Sequence, residues 1–221
     1  MTLKNCIENL DFFKSLNNDQ IELLSSFSFM KNYQKDSILF YQSDKEKHLL
    51  FLVKGLIKIY KYDKFDNEIF LYHINPNSLI SELSSIENSE IISYSNSAFI
   101  ENSTILAVNF QKFKEHFLDT DILIKELMNS LLRKNHKLQS LLDRELVFDA
   151  TAKVAYMLFS DLKLFNSIKR QEVSFMLHIQ PETLSRVLKK LTRDNIIEIE
   201  SQEVIIKDSF LLEAIFKGVS I

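Results

Sequence analysis

The stretch RQEVSFMLHIQPETLSRVLKKLTRDNIIEI, residues 170–199, decides how this chain is read. It joins a short segment of helically spaced apolar residues, a break around His178, and a second segment opening on Pro181. Proline suits the first position of a helix, where its missing N–H is not needed and its fixed φ is already helical; Glu182 then complements the positive helix start. A helix is therefore expected from Pro181. Leu184, Val187, Leu188 and Leu191 share one face of it, whereas Glu182, Arg186, Lys189 and Arg193 follow i, i+4, i+7, i+11 along the other. One face is core and the other is offered outward.

The outward face has the chemistry of major-groove readout. Arg186 can grip guanine O6 and N7 with two bonds, Glu182 can accept from cytosine N4, and Ser185 can serve either base. Lys189, Lys190 and Arg193 suit phosphates, with Thr183, Arg170, Gln171 and the hairpin that follows as further DNA contacts. A solvated helix with an ordinary Glu182–Arg186 salt bridge would explain that pair alone. It leaves unexplained the short apolar partner helix, the turn, and the runs IIEIE and EVIIK around Ser201 and Gln202. Together these describe a winged helix-turn-helix, preceded by the helical segment TAKVAYMLFSDL.

Upstream the hydrophobic period changes twice. The first thirty residues are helically spaced, with a break at Asn17, Asn18 and Asp19. From Ser37 onward, SILFY, LLFLV, LIKIYKY, EIFLYHI, SAFI and TILAV are short β-type runs separated by QSDKEK, DKFDN, NPNS and ENS, which suggests an antiparallel barrel or jelly roll. The chain has only Gly55 and Gly218, so Asn and Asp are expected at most positive-φ turn positions. From about Thr120 the pattern is helical for some forty residues, with a break near Phe148 and Asp149. Ile124, Leu127, Leu131, Leu138, Leu141 and Phe148 form one apolar stripe and Met128, Leu132, Leu142 and Leu146 a second. The first reads as a dimer seam interrupted by Lys134 and Glu145. The expected division is a sensor domain over 1–119 with N-terminal helices, a dimerisation helix over 120–148 and a winged helix over 149–221.

With 221 residues, 46% hydrophobic and 26% charged, the chain has a globular composition and room for two small domains. Its apolar runs are too short to span a membrane and no basic leader precedes an apolar core, so a cytoplasmic location is expected. The net charge is −3, yet residues 164–197 carry Lys169, Arg170, Arg186, Lys189, Lys190 and Arg193 against Glu172, Glu182 and Asp194. That local cationic surplus is what a nucleic-acid surface needs. One cysteine, Cys6, cannot support an iron–sulfur cluster, which generally takes four thiolates. No nucleophile–base spacing, paired metal ligands or glycine-rich phosphate loop points to an enzyme.

Through residues 170–199, LLFLVKGLIKIY and NSLISELSSI, the chain resembles the Crp/Fnr family of bacterial transcription regulators over nearly its whole length. The resemblance implies an α+β architecture: a cyclic-nucleotide-binding-type β-roll, a long dimerisation helix and a C-terminal winged helix-turn-helix. It implies a homodimer on palindromic double-stranded DNA with half-sites related to TTGAT, read by Glu182, Ser185 and Arg186, and contact with RNA polymerase if the protein activates. A glycine is usual in the turn where His178 stands.

The effector pocket implied by the same resemblance falls on Ser81 and Glu82, with His73 on the neighbouring strand run and Leu138 and Gln139 on the long helix. Ser81 replaces the family's glycine, and residues 91–98 lack the arginine that holds a cyclic phosphate. A buried phosphate without a cationic partner would cost several kcal/mol, so cyclic AMP is not the expected effector. His73 is a candidate haem ligand, although a lone strand histidine is more often structural. The alternative function is a ligand- or haem-binding signalling module whose winged helix contacts protein.

Overall fold

The computed structural model describes residues 2–217, which form two compact units meeting between His136 and Lys137. In the first, helices α1 (Leu3–Asn9) and α2 (Asn18–Ser25) precede ten strands. These are β1 (Ser28–Tyr33), β2 (Ile38–Phe40), β3 (Lys45–Glu46), β4 (His48–Lys54), β5 (Ile57–Tyr62), β6 (Glu68–Ile74), β7 (Ser78–Leu79), β8 (Ile91–Ile92), β9 (Asn96–Phe99) and β10 (Ser103–Asn109). Two four-stranded antiparallel sheets, ordered β1-β10-β4-β7 and β2-β9-β5-β6, make the expected roll.

The run LLFLV is continuous because β4 is covered on both faces. Leu50 and Leu52 join Ile57, Ile59, Phe99, Ile105 and Ala107 inside the roll. Leu49 and Phe51 face the other way, with Leu106 and Val108, onto the helices. There the Phe51 ring meets Phe12 edge-on at 4.8 Å. Strands buried on two faces lose the apolar–polar alternation of a half-exposed sheet.

The expected turn chemistry is present. Asp36, Asp66, Asn77, Asp121 and Asn195 all have positive φ. Gly55, at φ +101°, cannot be replaced in the same way, because a Cβ there would collide with the Ser103 side chain.

After α3 (Phe110–Phe113), α4 runs over Ile124–Leu142 and ends in a π-helical turn, Asp143–Val147. Phe148 is extended and the Asp149 carboxylate accepts from the Ala152 N–H, so the helix breaks where expected. Within α4 the two stripes are buried to different degrees. Leu127 is buried and Leu131 packs beside it on the core of the roll, which leaves Met128 and Leu132 on the exposed side together with Leu142 and Leu146 farther along the chain. Of the first stripe, Ile124 and Leu138 are exposed as well.

The second unit contains α5 (Ala150–Ser160), α6 (Leu162–Ser167), α7 (Arg170–Met176), α8 (Pro181–Arg193), the hairpin β11 (Ile197–Glu200) and β12 (Glu203–Ile206), and α9 (Ser209–Lys217). The last helix was not expected. Its Leu212 is fully buried in a core with Val154, Leu158, Phe165, Val173 and Leu188. The hairpin turns at Ser201 and Gln202, both at positive φ, as a two-residue turn requires.

Candidate nucleic-acid interface and sensor cassette

Helix α8 starts at Pro181 and buries Leu184, Val187, Leu188 and Leu191. Val173 and Leu177 from α7 and its C-cap lie in the same core. Burial of such a stripe, at about 1.5–3 kcal/mol for each large aliphatic side chain, fixes which way the opposite face points. Glu182, Ser185, Arg186, Lys189, Lys190 and Arg193 are all exposed, and Thr183 is half-buried. The Arg186 guanidinium bonds to Thr183 Oγ1 at 3.2 Å, and no bond to Glu182 is formed among the described residues. Arg193 leans on its exposed neighbour Asp194. Both Glu182 and Arg186 thus stand toward solvent without consuming each other.

Arg170, expected among the DNA contacts, is engaged within the winged helix itself. Its Nη1 donates to the Phe165 carbonyl at 3.0 Å and its Nη2 to the Gln202 carbonyl at 2.6 Å, with the guanidinium 4.4 Å above the Phe165 ring. Burial lowers the pKa of this guanidinium. The side chain ties α6 and α7 to the wing turn, while its neighbour Gln171 stays exposed. The wing carries Glu200 opposite Glu203 at its tip, so its side chains there oppose phosphates and its backbone is the part suited to them. A cleft of about 500 Å³ beside it is lined by Lys169, Arg170, Ser201 and Gln202 among others.

In the first unit the cassette is satisfied from within. The Ser81 hydroxyl is buried and accepts the Leu50 N–H at 2.9 Å. Glu82 accepts the N–H groups of Tyr94 at 2.5 Å and Ser95 at 3.1 Å, and the Ser95 hydroxyl at 3.0 Å. Burial, reinforced by the Glu82 charge, pushes the Tyr72 phenol well above its usual range. Lys134, read in the sequence as an interruption of the seam, sends its ammonium to the carbonyls of Ile80 and Ser81 at 2.7 and 2.6 Å. His73 is half-buried with its ring 4.7 Å from that of Phe70. Leu138 and Gln139 are exposed on α4.

One cluster escaped the sequence reading. Glu145, in the π-helical turn, meets Lys153 of α5 at 2.9 Å, His178 of the α7–α8 turn at 3.1 Å and Arg144 at 3.0 Å. Burial pushes its carboxyl up, but hydrogen bonds from Lys153, His178 and Arg144 outweigh that and hold it at about 2. A buried lysine inside the apolar segment TAKVAYM was the available signal, since buried charges are paired.

A β-roll followed by a winged helix with an outward cationic face defines a two-part DNA-binding transcription regulator. Residues 30–119 match the cyclic nucleotide-binding domain family and residues 153–215 the Crp-like helix-turn-helix domain family. The chain belongs to the Crp/Fnr family. It is 23% identical to the cAMP-activated global transcriptional regulator CRP of Salmonella typhimurium, over 84% of this chain and 93% of that one. It is also 23% identical to the cyclic AMP receptor protein of Thermus thermophilus, over 94% and 97%. The structure of a CooA mutant from Carboxydothermus hydrogenoformans shares the fold, with a TM-score of 0.71 at 18% identity, over 93% of this chain and 94% of that one.

Proposed function

We propose that the protein acts as a homodimer that reads a palindromic operator through Glu182, Ser185 and Arg186, without cyclic AMP and without an iron–sulfur cluster. The observation that carries this is the bare apolar face of α4 and the turn after it. Met128, Leu132 and Leu142 are each 56% exposed and Leu146 is 79% exposed, at a spacing that presents them to a parallel copy of the same helix. Two copies of α8 then stand ready for successive major grooves about 34 Å apart.

The relatives named for cyclic AMP do not carry that effector over to this chain. Tyr94 and Ser95 spend their N–H groups on Glu82, and residues 91–98 offer no cation to a phosphate. A single cysteine, fully buried in α1, argues against a cluster. No described helix is long and apolar enough to cross a membrane, in keeping with a cytoplasmic regulator that meets RNA polymerase if it activates. The acidic wing tip favours one second reading, a winged helix that contacts protein. Fluorescence anisotropy on a palindrome of TTGAT-type half-sites separates the two. Salt-sensitive binding that a scrambled duplex lacks supports the first, and its absence the second.

A further inference from the structure

We propose that Glu145 is a positioning residue for DNA recognition, acting through His178 to set the turn from which α8 departs; this rests on the DNA-reading role of α8 given above. His178 occupies the middle of the α7–α8 turn at φ +51°. Left-handed backbone is strained for a residue with a side chain, and glycine takes it without that strain. The imidazole therefore brings something a glycine would not. What it brings is Nδ1, which lies 3.1 Å from the Glu145 carboxylate oxygen Oε2.

The first residues of α8 are held by packing and backbone bonds and not by a side-chain cap. Its N-cap, Gln180, makes no side-chain capping bond. The turn itself is closed by backbone bonds from His178 N–H to Phe175 and from Ile179 N–H to Ser174. Glu145 is fixed on its other side by Lys153, whose ammonium lies 2.9 Å from the same Oε2 and whose side chain is buried in α5. One carboxylate oxygen thus joins three elements: the turn that ends the long helix, the first helix of the DNA-binding fold, and the approach to the recognition helix. A shift of the π-helical turn would be felt at Gln180 and Pro181 through this single oxygen.

The test uses the full chain on the palindrome, with His178→Gly and Glu145→Gln singly and together. His178→Gly keeps the backbone conformation and removes the ring; Glu145→Gln keeps the shape and removes the charge. Each should bind about tenfold more weakly, roughly the worth of one charged hydrogen bond, with the double variant no weaker than either single. Both should also lose discrimination against half-sites moved a base pair apart, which a merely destabilised but folded protein would keep. Wild-type affinity and spacing preference in His178→Gly would overturn the proposal, whatever Glu145→Gln does to folding. A wild-type chain that binds no palindrome would instead sink the DNA reading, and this role with it.

Discussion

The Lys134 ammonium donates to the carbonyl oxygen of Ser81 at 2.6 Å, so α4 is strapped to the cassette turn by its own side chain. Ile80 receives the same ammonium at 2.7 Å. Lys134→Met keeps the stem and removes both bonds, each worth about 1.5–3 kcal/mol when the donor is charged. Hydrogen exchange should then quicken at residues 79–83 while the two hydrophobic cores stay protected. Unchanged exchange would mean the strap holds nothing.

Cyclic AMP is expected to leave operator affinity unchanged. To bind as an anion at residues 91–98, it would have to displace the Glu82 carboxylate from the Tyr94 and Ser95 N–H groups, with no cation in that stretch in return. Anisotropy titrations with and without the nucleotide check this directly. A tightened Kd would show that the exchange takes place.

Arg186 and Lys189 should fail in different ways. Arg186→Ala removes a fork able to read guanine, costing about 1–3 kcal/mol on the operator and flattening preference at one position. Lys189→Ala removes a point charge, so all sequences should weaken alike and the salt slope should fall by about one. Equal, sequence-independent losses would show that Arg186 does not read bases.

Leu142→Asp puts a charge in the exposed stripe, where a folded monomer tolerates it and a dimer seam does not. Sedimentation equilibrium should show monomers for the variant and dimers for the parent, with an unaltered melting profile at the roll. A parent that sediments as a monomer would remove the case for a palindrome.

Stability should fall in acid through Glu145. Its folded carboxyl titrates at about 2, below the ordinary 4.5, because the bonds from Lys153, His178 and Arg144 outweigh the opposing effect of burial. A carboxyl depressed on folding stabilises the folded state above its ordinary value. That stabilisation is lost progressively as pH falls from about 4.5 to about 2. The side chain is about a quarter exposed, so its share is on the order of 1–2 kcal/mol. Melting curves of the parent and Glu145→Gln across that range should converge as pH falls. Parallel curves would assign the acid sensitivity elsewhere.

Local rules made much of this molecule legible from its sequence. Short β-type runs and the turn residues between them marked the strands of the roll, Pro181 marked the start of α8, and the scarcity of glycine sent positive φ to Asp36, Asp66, Asn77, Asp121 and Asn195. Each depends on neighbours within a few positions, which is what periodicity and turn chemistry report.

The tertiary structure decided what local pattern leaves open. Both stripes of α4 are apolar, and only the fold shows that Leu127 and Leu131 are taken up by the core of the roll while Met128 and Leu132 are left exposed. Nothing in the local sequence of Arg170 shows that its guanidinium bonds to the Gln202 carbonyl, and Lys134 looks like a break in a seam until Ser81 arrives. Nothing near Glu145 in the chain announces His178. A charged side chain takes the partner that folding delivers, because burial makes an unpaired charge costly while the sequence separation of the pair carries no penalty once the core has formed.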